Sequence, residues 1–176
     1  MKNRTMKFIL TVFLFISVVV ARAQDDAISR LFRQYEGDEN FTTIYITSKM
    51  FSLIAQIPEQ EDEQDFMNII RRLTGIRILT SDSLPDADKL YQKTANLLVK
   101  NGFEDLMVIK DGAEETKFLV HEKGEVISEF VMVSGEKNDF TLISLTGDLR
   151  LKDISKISKT MDIKGFDKLD KVKDKQ

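Results

Sequence analysis

The sequence predicts an α+β fold: a two-layer sandwich of one mixed, mostly antiparallel sheet with helices packed on one face. Three observations predict it. Up to about residue 102, apolar residues recur mainly at the helical spacing, with two short β-branched runs between helices. From Phe103 the period falls to two, and four alternating runs follow one another across short, turn-rich gaps. After Gly147-Asp148 the helical period returns. Segregation of the hairpins in the second half argues against a doubly wound nucleotide fold.

The elements follow in order. Ile28, Leu31, Phe32 and Tyr35 make one helical stripe over 26–36, stopped at Gly37. Phe41 to Ile46 reads as a strand. Thr47 or Ser48 caps the next helix, whose expected buried face is Met50, Phe51, Ile54 and Ile57, and Pro58 ends it. Phe66, Ile69, Ile70 and Leu73 form another helix, broken by Gly75, and Ile76 to Thr80 forms a strand free to pair in parallel with the first. A Ser83-Leu84-Pro85-Asp86 start introduces a helix from Asp86 to about Lys100, burying Ala87, Leu90, Tyr91, Leu97 and Leu98. The meander strands are Leu106–Ile109, Thr116–His121, Glu125–Ser134 and Asp139–Thr146. The last helix carries Leu151, Ile154, Ile157 and Met161 on one face. Ile154 and Ile157 are expected in the core, with the lysines around them in solvent.

Composition bounds the chemistry. The chain has 176 residues, 42% hydrophobic and 31% charged, which is the balance of one globular domain. It has no cysteine, which excludes disulfides, thiol nucleophiles, Cys-ligated zinc and lipid attachment at an N-terminal cysteine. One histidine excludes a multi-His metal site. Neither a Gly-x-Gly-x-x-Gly run nor a phosphate loop is present, and Gly75, Gly102, Gly112, Gly124, Gly135 and Gly147 read as punctuation at element ends.

The N-terminus reads as an export signal. Lys2, Arg4 and Lys7 form a basic start, Phe8 to Val20 is uncharged, and Ala21-Arg22-Ala23 gives a small-x-small cleavage site. Thirteen residues cover about 20 Å, short of the roughly 30 Å hydrocarbon core. The expected organisation is a signal peptide over 1–23, one α+β domain over 24–160, and a charged, frayed tail over 161–176. Cleavage removes four of 26 cations and none of 29 acids, leaving 22 against 29, a formal −7. That charge argues against nucleic acid as a partner.

Four features invite functional readings. His121 ends a strand beside Glu122, as a general base oriented by a carboxylate would, yet no nucleophile motif accompanies it, so it reads as a hairpin-tip residue. The acidic run Glu59 to Asp65 lacks the alternating ligands and central Gly of an EF-hand and reads as a solvated loop. The segment 148–176 carries nine cations against six acids, which offers peripheral contact with an anionic membrane, but interspersed aspartates favour an ordinary packed helix. Asn40-Phe41-Thr42 matches a glycosylation sequon, a motif too short to carry weight.

The strings FTTIYITSKMFSLI, TGIRILTS and FEDLMVIKDG, with the continuous stretch from TKFLVHEKGEV to LTGDLRLKDISKI, resemble the bacterial domain-of-unknown-function family 4252. The likeness runs from about Ile28 to Ile157. Its most recognisable parts are Thr47-Ser48-Lys49-Met50-Phe51 and Leu145-Thr146-Gly147-Asp148-Leu149. It implies a small protein of the periplasm or outer envelope of a Gram-negative bacterium. It brings no activity, and no catalytic, cofactor-binding or metal-binding residue. Family members often resemble lipoproteins, from which this cysteine-free chain departs. The expected function is a non-catalytic interaction module without a cofactor, binding an envelope protein through the exposed edge of the meander sheet. The alternatives are a carboxylate-based periplasmic hydrolase and a lipid-binding protein acting through the last helix.

Overall fold

The computed structural model describes residues 27–57 and 64–161, with side chains described up to residue 157. The expected signal peptide, most of the acidic run, and the tail beyond Met161 lie outside the described residues. The elements are α1 (Ala27–Tyr35), β1 (Thr42–Thr47), α2 (Ser48–Ile54), α3 (Gln64–Ile70), β2 (Leu73–Ser81), α4 (Ala87–Lys100), β3 (Glu104–Asp111), β4 (Glu114–Lys123), β5 (Val126–Glu136), β6 (Asp139–Leu149) and α5 (Leu151–Met161).

The α+β class and the C-terminal meander are as expected. Six strands form one open sheet in the order β1-β2-β6-β5-β4-β3, so β6 and β5 lie at its centre and β1 and β3 at its edges. Two details differ from the sequence reading. Every pair is antiparallel, including β1 with β2, which leaves no parallel ladder. Helices α2 and α3 occupy the connection without making it a crossover. Helices also cover both faces of the sheet rather than one. On β5, Phe130 and Met132 belong to one apolar cluster while Val131 and Val133 belong to the other, as alternation along a strand requires. Helices α1 and α4 complete the cluster around Val131 with Phe32, Leu90 and Leu98. Helices α2, α3 and α5 complete the opposite one with Phe51, Ile69, Ile70, Ile154 and Ile157. A central strand whose two side-chain sets are both apolar demands a cover on each side.

Three glycines expected at element ends, Gly75, Gly135 and Gly147, sit inside strands instead. Leu73 opens β2 rather than closing a helix, and the register shifts between Leu73 and Gly75. A Cβ on Gly75 would lie 2.8 Å from the Thr146 hydroxyl oxygen. Gly135 lies within β5, where a Cβ would fall 2.4 Å from Tyr91 Cβ, so it sets how closely α4 approaches the sheet. The start of α4 also differs from expectation. Asp86 precedes the first helical residue at φ 61° and makes no side-chain cap. The Leu84 and Ala87 amides donate to the Asn138 and Lys137 carbonyls of the β5–β6 turn at 2.9 and 3.2 Å. Tertiary acceptors thus satisfy donors that a capping residue would otherwise take.

Helix α5 folds back as predicted: Ile154 is 2% exposed and Ile157 is fully buried. Its first turn is fixed by Asp153, which accepts hydrogen bonds from the Arg150 amide at 3.0 Å and Nε at 3.1 Å. Arg72, at the entry to β2, pairs with the same carboxylate at 2.9 Å. Burial pushes the Asp153 carboxyl up, but the Arg150 and Arg72 donors outweigh it and hold its pKa below the ordinary value.

Candidate functional site

Helix α2 departs furthest from its expected packing. Of the predicted face, only Phe51 is buried; Met50 is 51% exposed and Ile57, beyond the helix end, 60%. Ile54 is half-buried and Leu53 is exposed. The reason is position. Helix α2 follows β1 directly, and β1 is an edge strand, so the sheet extends beneath the helix on one side only.

A cleft of about 490 Å³ opens at this flank. Tyr45, Ile46 and Thr47 of β1 form one wall, Met50, Phe51 and Ile54 of α2 another, and Phe66 and Ile70 of α3 close it. The lining carries no charged residue. The Tyr45 ring turns to the other face of the sheet, edge-on to Phe32 at 5.3 Å between ring centroids, with the Arg77 guanidinium 5.8 Å over it. Among the described residues, five of the nine exposed large hydrophobics fall here: Ile44, Tyr45, Met50, Leu53 and Ile57. Exposed large apolar side chains are thus concentrated at this flank among the described residues.

The two sheet edges contrast sharply. Strand β1, Thr-Thr-Ile-Tyr-Ile-Thr, has no charge and pairs with β2 in unbroken register. Strand β3 carries Glu104, Asp105, Lys110 and Asp111, and its register shifts between Asp105 and Met107. Its flank is tied by ion pairs from Lys117 to Asp105 at 2.7 Å and from Lys110 to Glu115 at 3.6 Å. Charges and a bulge are the devices that keep a strand edge from pairing, and β1 has neither.

His121 lies near the end of β4, but it is partly buried rather than at a hairpin tip. Its ring tilts against Phe103 at 5.4 Å. The Ser128 hydroxyl donates to the His121 carbonyl at 2.8 Å, so its oxygen accepts from His121 Nδ1–H at 3.2 Å. Its Nε2 lies on the side of Gly102. Several carboxylates accept from neighbouring side chains: Glu129 from Ser144 at 2.5 Å, and Glu114 from Ser134 at 2.9 Å. Among the described residues no three His, Cys, Asp or Glu side chains gather as a metal site would need, and no helix is long and apolar enough to cross a membrane. Asp65, the described end of the acidic run, pairs with Lys156 of α5 at 2.5 Å, and that contact lowers its pKa. Of the apolar stripe of α5, Ile154 and Ile157 are packed in the core and Leu151 is 54% exposed.

The sequence reading assigned the stripe of α2 to the core and so missed this flank. A signal was present: from Phe41 to Ile57 the only charged residue is Lys49. No curated protein and no solved structure matches the chain. The family described as domain of unknown function (DUF4252) matches residues 35–157, which include β1, α2 and the whole sheet, and the chain belongs to that family.

Proposed function

We propose that this protein is exported to the cell envelope and works there as a non-catalytic interaction module, taking an extended apolar segment of a partner protein along β1. The observation that carries the reading is the uncharged, unbulged edge of β1 lying directly beside an apolar cleft. The export half rests on the basic start, the uncharged run from Phe8 to Val20 and the small residues Ala21 and Ala23.

The physics of the edge defines the binding mode. An edge strand presents outward amides and carbonyls, and a partner strand satisfies them as a seventh strand. Side chains of the added strand alternate between faces, so every second one is directed toward the side on which Ile44, Ile46 and the cleft lie. Each apolar side chain buried there contributes about 1.5–3 kcal/mol. Backbone pairing supplies direction and register, while the cleft selects apolar anchors over charged ones.

A photo-crosslinking residue at Met50 tests the reading in envelopes of cells producing the full chain. Label transfer to a partner polypeptide from position 50, lost in an Ile44→Lys background and absent from position 108 on β3, is the expected result. Equal transfer from both positions, or transfer indifferent to Ile44→Lys, removes the reading.

A further inference from the structure

We infer that the segment taken along β1 is β1 of a second copy of this chain, giving a two-fold dimer with one continuous twelve-strand sheet. The inference rests on the reading that the β1–α2 flank is the interaction surface and names its occupant.

Symmetry makes the first demand. An isologous interface requires one patch to supply both the projecting groups and the recess that receives them. This flank does so: Ile44, Met50, Leu53 and Ile57 project, and the cleft beside Ile46 and Phe51 receives. A two-fold axis perpendicular to the sheet runs the two β1 strands antiparallel and keeps equivalent faces on the same side. Residues opposite each other must then share a face, so either Ile44 meets Ile44 or Tyr45 meets Tyr45. In these two registers the residue beside Ile46 of one copy is Thr42 or Ile44 of the other.

Charge makes the second demand, and β1 meets it. Every residue pair formed between two Thr-Thr-Ile-Tyr-Ile-Thr strands is neutral, and β-branched and aromatic residues are the types that favour cross-strand pairing. Lys49, the only charge from Phe41 to Ile57, follows the C-terminal end of β1, so the two copies of it lie on opposite sides of the axis. The same operation on β3 meets the bulge between Asp105 and Met107 and, centred on Val108, sets Asp105 against Asp111. A neutral edge with neighbouring apolar side chains is complementary to itself; a bulged and charged edge is not. One edge cannot hold two strands at once, so self-association and capture of any other segment exclude each other.

The absence of cysteine makes the test direct. The mature chain is made with a single cysteine at position 44, 45 or 108 and oxidised, and its mass is followed by sedimentation across a wide concentration range. A residue on the axis faces its own copy closely enough for a disulfide. The expected result is a dimer that forms a covalent link at position 44 or 45 and not at 108. Ile44→Lys and, separately, Leu53→Lys should shift the unlinked protein to a monomer, with far-UV circular dichroism unchanged. A monomer at every concentration overturns the inference, as does a dimer indifferent to both lysine variants or one linked at 108 instead. If the protein is monomeric while position 50 still labels a partner in envelopes, the second copy is the wrong occupant and the interaction surface stands. If neither occurs, both readings fall.

Discussion

Helices α2 and α5 begin alike and end differently. Each follows a strand almost without a loop, and each carries an apolar stripe at helical spacing. In α5 Ile154 and Ile157 are sealed at 2% and 0% exposed, although Leu151 at the helix start is 54% exposed; in α2 Phe51 is sealed while Met50 remains 51% exposed. The difference lies in the strand that precedes each helix. Strand β6 is central, so α5 lands on a sheet with neighbours on either side, whereas β1 is an edge and α2 lands on its margin. An apolar stripe reports that a surface will be covered, and the place of the preceding strand in the sheet decides whether the chain itself covers it.

The largest expected effect tests the sealed half. Ile157→Ala removes a fully buried side chain and leaves a cavity that α3, α5 and the sheet cannot close without shifting. Denaturant melts should show a loss of roughly 2–5 kcal/mol. A loss no greater than that of a surface substitution would mean that α5 is a detachable element, and the contrast with α2 would vanish.

The second effect concerns what locks α5 in place. Asp153→Asn removes the charge that Arg72 and Arg150 share. Breaking such a pair inside the protein costs about 3–5 kcal/mol, and the partial exposure of both arginines reduces this to roughly 2–3 kcal/mol. The folded Asp153 has a lowered pKa, so its contribution is fully present above the unfolded value and is lost as pH falls through the folded one. Stability of the unaltered protein should therefore fall on acidification below about pH 4, and the Asn variant should show a shallower fall. Parallel acid limbs would show that the carboxylate is not what anchors the helix.

The third effect sharpens the comparison from the opposite face, where α4 crosses the central strand β5. A Cβ at Gly135 would sit 2.4 Å from Tyr91 Cβ, too close without a shift of the helix. Gly135→Ala should cost about 1–3 kcal/mol by overpacking, read as a lowered denaturation midpoint with an unchanged slope. No loss would place slack between α4 and the sheet.

These residues also show what could be read from the chain. Ile154 and Ile157 were legible because the strand before α5 belongs to the locally paired meander, which supplies a sheet for the helix to fold against. The meander was legible because its pairing is local. Gly135 was not: a glycine in a turn and a glycine under a helix look alike until the helix is placed. The cover on both faces was hidden for a related reason. The strict alternation of Phe130, Val131, Met132 and Val133 is a continuous apolar run in sequence, which reads as a strand without saying how many layers meet it. The flank at β1 was hidden because strand order depends on long-range pairing, and without that order no residue can be assigned to an edge. His121 was recognisable as lacking a nucleophile, while its packing on Phe103 needed the chain between them to be folded.

The smallest expected effect on stability lies on the open half, and there a near-zero result is the informative one. Met50→Ser and Leu53→Ser each remove apolar surface that the isolated fold leaves about half in water. Surface substitutions of this kind stay within about 0.5 kcal/mol, so dilute samples should melt as the unaltered protein does. Raising the protein concentration should separate them. A dimer sealed through this flank gains stability with concentration, because association draws the folded chain toward the paired state. The unaltered protein should then show a midpoint that rises with concentration, and the serine variants one that does not. If all three midpoints rise together, the α2 side chains take no part in association. If the serine variants are instead as damaging at low concentration as Ile157→Ala, then α2 is sealed by its own chain, and the two helices differ less than their exposures indicate.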